Sequence, residues 1–65
     1  MEKFLRLRDV LDQTGLSRTT IYRWIKTGDF PRQVKPWKGP NAPSLWVRSE
    51  VDAWMQEKIQ ARDSG

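Results

Sequence analysis

Four tryptophans stand in a chain of 65 residues that has no cysteine and no histidine, and this pairing constrains the fold more than any other feature. So short a domain buries a smaller fraction of its surface on folding than a large one, and usually needs a disulfide, a metal or a partner to hold together. Without Cys or His, disulfides and ordinary zinc sites are excluded. The indoles, each able to bury roughly 150–250 Å², are therefore expected to supply the core. A single domain over 1–65 is expected, with a frayed tail over 62–65. There is no room in it for a large enclosed active-site cavity.

Charge indicates the partner class. Twelve Lys and Arg against eight Asp and Glu give a net charge of +4 and a pI near 10.0, a field that favours polyanions. Apolar runs reach two or three residues, far short of the roughly 20 that span a bilayer, and no signal-peptide core follows Met1. A cytoplasmic prokaryotic protein with no membrane partner is expected, drawn to the nucleoid if it binds DNA.

Turn and cap residues divide the chain. Phe4, Leu5 and Leu7 form an apolar opening, a strand or a packed arm, with Arg6 pointing the other way. Val10 and Leu11 among Asp9, Asp12 and Gln13 suit a two-turn helix over 8–14 with acids near its positive end, stopped by Gly15. Leu16 follows as a core plug, and Ser17 is an N-cap candidate. The next helix is expected over 18–27, ended by Gly28, with Pro31 barring continuation. At about 100° per residue, Ile21, Trp24, Ile25 and Gly28 share one side. Thr19, Tyr22, Arg23 and Lys26 share the other, with Arg18 at its edge.

Beyond Pro31, Gln33-Val34-Lys35 and Leu45-Trp46-Val47 read as two strands joined by the proline-rich loop 36–43, forming a wing. Ser49-Glu50-Val51-Asp52 matches a capping box opening a third helix, whose stripe of Val51, Trp54, Met55 and Ile59 runs to about residue 61. Lys58 lies within this stripe and is expected to snorkel. Trp24, Trp46 and Trp54 are assigned to the core. Trp37 has two readings, packing on Pro36 or touching the minor-groove sugar edge. The expected class is α+β, mainly α: a winged helix-turn-helix of three helices with a two-stranded β wing.

In that arrangement the first helix braces the second in the major groove. Arg18 and Arg23 are forked donors suited to guanine or phosphate, with Thr19 and Tyr22 as shorter partners. Ser17 and the free amides of the first turn suit a phosphate, and Lys26, Lys35 and Lys38 suit the DNA backbone. The carboxylate pairs Asp9/Asp12 and Glu50/Asp52 fall in first helical turns, where capping accounts for them. No nucleophile–base pair, P-loop or dinucleotide fingerprint occurs, so neither enzyme activity nor a cofactor is expected.

The runs Gly15-Leu16-Ser17-Arg18-Thr19-Thr20-Ile21-Tyr22-Arg23-Trp24-Ile25, Gly28-Asp29-Phe30-Pro31 and Ser49-Glu50-Val51-Asp52-Ala53-Trp54 closely resemble the AlpA family of prophage regulators. That family is similar to excisionases and to the DNA-binding domain of MerR regulators. The resemblance spans about residues 4–59. It implies a winged helix-turn-helix acting on promoter or attachment-site DNA to control integrase expression or excision, with base reading by Arg18, Thr19, Tyr22 and Arg23. The dimerising helix and effector domain of full MerR proteins have no counterpart, so no small-molecule effector is expected. The wing departs from the family pattern in carrying three prolines and an added Trp37.

Two alternatives stand beside a promoter-binding regulator of double-stranded DNA. One is an excisionase that bends attachment-site DNA with an integrase as partner. The other is a protein-interaction module, such as an antirepressor, that uses exposed aromatics. A single winged domain covers only about 600–1,000 Å² of DNA, so a homodimer or a cooperative array on repeated sites is expected.

Overall fold

The computed structural model describes residues 2–64. Its elements run β1 (Phe4–Arg6), α1 (Leu7–Thr14), α2 (Arg18–Thr27), β2 (Leu45–Val47) and α3 (Arg48–Ser64). Three helices and a two-stranded antiparallel sheet make a winged helix-turn-helix, as the turn and cap residues predict. No described helix is long and apolar enough to cross a membrane.

Local chemistry sets the helix ends. The Arg6 amide donates to the Asp9 carboxylate (3.1 Å), half of a capping box that opens α1 one residue earlier than the pattern suggests. Gly15 closes it at φ 74°, its amide donating to the Leu11 carbonyl (2.8 Å). Thr14 Oγ1 donates to the Val10 carbonyl and accepts from the Leu16 amide, tying the turn to the helix it follows. The Ser17 hydroxyl caps α2 by accepting from the Thr20 amide (3.2 Å). Gly28 ends α2 at φ 85°, where its amide reaches Ile25 and the Asp29 amide reaches Trp24. These two bonds form a Schellman motif and aim the chain at Phe30.

Each element then gives the core one buried apolar side chain. Leu5, Val10, Ile21, Trp46 and Val51 come from the five elements in order, and Phe30 joins them from the loop after α2. Leu5 and Trp46 are directly opposed across the sheet, in the register Phe4↔Val47, Leu5↔Trp46, Arg6↔Leu45, and so face the core together. Phe4 and Arg6 point outward, as alternation requires.

Two expectations need correction at the wing. The principal partner of β2 is β1, and the strand expected at 33–35 reduces to one bridge, Val34↔Leu45, made by two backbone bonds of 2.6 and 3.0 Å. Pro36 explains the short pairing, because it has no amide to continue the ladder beyond Lys35. The wing is therefore a long loop over 35–44 on a narrow base. Its strand Leu45–Val47 forms as expected.

The capping role expected of Ser49 also fails. The helix begins at Arg48, whose amide donates to the Lys3 carbonyl (2.8 Å), and the Ser49 hydroxyl donates to the Glu2 carboxylate (2.6 Å). The N-terminal arm thus takes the place of a local cap. At the far end, Arg62–Ser64 of the expected tail are helical, since no Gly or Pro intervenes to stop α3. Gly65 lies outside the described residues.

Three tryptophans hold the body, as assigned. Trp46 is completely covered and donates its Nε1–H to the Pro31 carbonyl (3.1 Å). Trp54 donates to the Asp29 carbonyl (2.6 Å) and meets Phe30 edge-on, with ring centroids 4.8 Å apart. Trp24 lies 6.0 Å from Trp54, and Lys58 extends over the Trp54 ring at 5.5 Å, a snorkelling geometry.

Truncating Trp46 to Ala should remove about 3–5 kcal/mol, comparable with the whole stability of a domain this small. We predict that Trp46→Ala shows no cooperative thermal transition by circular dichroism above room temperature; a melt unchanged from wild type would contradict this core. Gly28→Ala meets no atom within 4 Å, so it tests backbone conformation alone. Denaturant titration should register a loss of about 1–2 kcal/mol for it.

Candidate nucleic-acid interface

The outward side of α2 is built by what lies beneath it. Ile21 is fully buried and Trp24 and Ile25 are half-buried, which fixes the helix rotation and leaves Arg18, Thr19, Tyr22, Arg23 and Lys26 exposed. The sequence-predicted face is thus brought together on three successive turns. Tyr22 is held more firmly than helix position alone would hold it: its ring meets Trp46 edge-on, centroids 6.3 Å apart with 62° between planes. An edge-to-face pair of this kind limits the tyrosine's motion, although the residue stays 37% exposed.

At the start of α2 the Ser17 hydroxyl is already engaged. It accepts from the Thr20 amide and donates to Thr20 Oγ1 (3.0 Å). The anion-binding capacity of this end therefore lies with the first-turn amides of Arg18 and Thr19, which have no carbonyl within the helix to donate to. Ser17 orients them as the cap.

Of the wing lysines, Lys35 and Lys38 are separated by role. Lys35 Nζ donates across the loop to Ser44 Oγ (2.8 Å) and more weakly to the Ala42 carbonyl (3.4 Å), bracing the base of the wing. An ammonium has three donors, so one remains. Lys38 is exposed, as is Trp37, whose relative accessibility of 55% rules out packing on the core.

Charge is segregated along the chain in a way that totals conceal. From Leu16 to Val47, Arg18, Arg23, Lys26, Arg32, Lys35 and Lys38 face the single acid Asp29, and the other acids lie in the N-terminal arm, α1 and α3. Asp29 is engaged locally, accepting from Thr27 Oγ1 (2.7 Å). Among the described residues no polar or charged side chain is buried, so no shielded acid–base group accompanies the cationic face. Of the four carboxylates expected in helical first turns, Asp9 and Glu50 stand there, Asp9 as the cap of α1, whereas Asp12 and Asp52 lie beyond the first turn because both helices open earlier than the pattern suggests; Asp52 pairs with Arg48 at 3.8 Å and accepts from Gln13 (2.5 Å).

The Tyr22–Trp46 contact is the part of this site that sequence reasoning missed. Its partners are distant in the chain and belong to different elements, so no local periodicity signals it. The pairing of β1 with β2, which positions Trp46, is hidden for the same reason.

Comparison with known proteins agrees with this architecture. The chain is similar to ORF88 of Enterobacteria phage P4, a protein described as uncharacterized, with 47% identity over 64 residues covering 98% of this chain and 69% of that protein. It is also similar to the DNA-binding transcriptional activator AlpA of Escherichia coli (strain K12), with 31% identity over 64 residues covering 89% of this chain and 87% of that protein. No solved structure matches it. The model of one family, described as Prophage CP4-57 regulatory protein (AlpA), matches residues 3–59. With nearly every described element inside that match, the chain belongs to the AlpA family of prophage regulatory proteins.

Proposed function

We propose that this protein is a transcriptional regulator of a prophage or mobile element that binds double-stranded DNA by seating α2 in the major groove. The observation that carries the reading is the exposed set Arg18, Thr19, Tyr22 and Arg23 on a helix locked at both ends and backed by buried Ile21. Arg18 and Arg23 are the base readers, each able to engage guanine O6 and N7 with a forked pair of donors. Thr19 and Tyr22 supply shorter contacts. The Arg18 and Thr19 amides, oriented by Ser17, receive a phosphate at the positive helix end.

Lys26 and Lys38 neutralise backbone phosphates on either side of the groove, and Lys35 assists with its remaining donor. These contacts set register and add affinity without reading sequence. The regulated genes, on this reading, are those for integration or excision. The similarity to a DNA-binding transcriptional activator supports regulation by promoter occupancy, and the small footprint of one winged domain favours paired or repeated copies on the site.

Titration of duplex DNA from the region flanking the protein's own gene, at two salt concentrations, tests this. Arg18→Ala and Arg23→Ala should each weaken binding by about 1–3 kcal/mol and relax sequence preference. Lys38→Ala should weaken all sequences equally and lower the salt slope by about one. Undiminished binding by a folded Arg18→Ala/Arg23→Ala double variant would remove α2 from the mechanism.

A further inference from the structure

Three of the four indoles are absorbed by the body, and Trp37 is left exposed on the wing. It is not on a slack loop. Two backbone bonds between Val34 and Leu45 close the base, and the Lys35 ammonium braces it against Ser44. Farther out, the Ala42 amide turns back to the Gly39 carbonyl (3.3 Å). Pro36, Pro40 and Pro43 each fix one backbone angle, reducing the disorder such a loop would otherwise have. Gly39, at φ 144°, runs close beside the indole: a Cβ there would lie 3.8 Å from Trp37 Cδ1. The wing is thus a braced mount that presents a large flat apolar group to solvent.

The surroundings of this group fit a nucleic acid better than a protein. Lys35 and Lys38 flank it, and no acidic residue occurs between Asp29 and Glu50. The strand from which the wing springs carries Trp46, whose ring meets that of Tyr22 in α2, so one contact joins the base of the wing to the recognition helix. Apolar side chains set next to cations are the means by which proteins enter the minor groove and pry at a base step.

We propose that Trp37 is a minor-groove wedge that selects DNA by its deformability. This rests on the reading that α2 occupies the adjacent major groove. The indole lies against the sugar edge of a base step flanking the α2 site and partly unstacks it, while Lys38 holds the neighbouring phosphate. Pyrimidine–purine steps open most easily, so they are favoured at that flank although no side chain of α2 reaches them. The added tryptophan thereby becomes a specificity-determining residue whose contribution is shape readout.

The test is selection from a random-sequence duplex pool, performed in parallel with wild type, Trp37→Ala, Trp37→Phe and Arg18→Ala/Arg23→Ala, with thermal melts confirming that each variant is folded. Wild type and Trp37→Ala should enrich the same core, and wild type alone should also enrich a pyrimidine–purine step at fixed distance from it. Trp37→Phe should restore that preference in part. On the wild-type-selected duplex, Trp37→Ala should bind about ten-fold more weakly, with a smaller bend measured by end-to-end energy transfer. Equal flanks, affinity and bend for wild type and Trp37→Ala would overturn the wedge and assign the exposed indole to a protein partner. If instead the arginine double variant enriches the same core as wild type, the reading of α2 fails.

Discussion

Complete burial of the Trp46 indole is the interaction on which the other parts depend. Its ring covers the inner side of a sheet only three residues long, opposite Leu5, and its Nε1–H satisfies the Pro31 carbonyl where the chain leaves α2. The same ring meets Tyr22 at 6.3 Å between centroids. One side chain therefore joins the N-terminal strand, the exit of α2 and the base of the wing. In a domain without disulfide or metal, a buried aromatic with its donor paired is the strongest available staple, and it makes the position of the cationic face a consequence of core packing.

The second brace is the Trp24–Trp54–Phe30 group, which fastens α3 to the end of α2 and is covered by Lys58. With Trp46 on one side and Trp54 on the other, α2 is gripped along its inner surface and has little freedom to rotate. That rigidity matters for recognition, because forked arginine contacts to bases tolerate only small errors in position. The functional reading of Arg18 and Arg23 follows from this packing as much as from their charge.

Local chemistry made the helix-turn-helix legible in the sequence. Ser17 and Gly28 bound α2 at the residues expected, and the 3.6-residue period separated Ile21, Trp24 and Ile25 from Arg18, Thr19, Tyr22, Arg23 and Lys26. What escaped was non-local. Leu45–Val47 has an amphipathic strand pattern but carries no mark of whether its partner lies at 4–6 or at 33–35, and only the three-dimensional closure decides for β1. Ser49 has the spacing of a cap, yet Glu2, distant in sequence, claims its hydroxyl. The division of labour between Lys35 and Lys38 likewise depends on Ser44 arriving across the loop.

The central claim is that the outward side of α2, and not the surface of α3, meets DNA. The backbone amide NMR spectrum during titration with duplex DNA tests it most directly. The amides of residues 17–26 and of Lys35, Trp37 and Lys38 in the wing are predicted to shift in proportion to bound DNA, while those of 56–64 in α3 stay in place. Shifts confined to α3, with the amides of 17–26 unmoved, would contradict it.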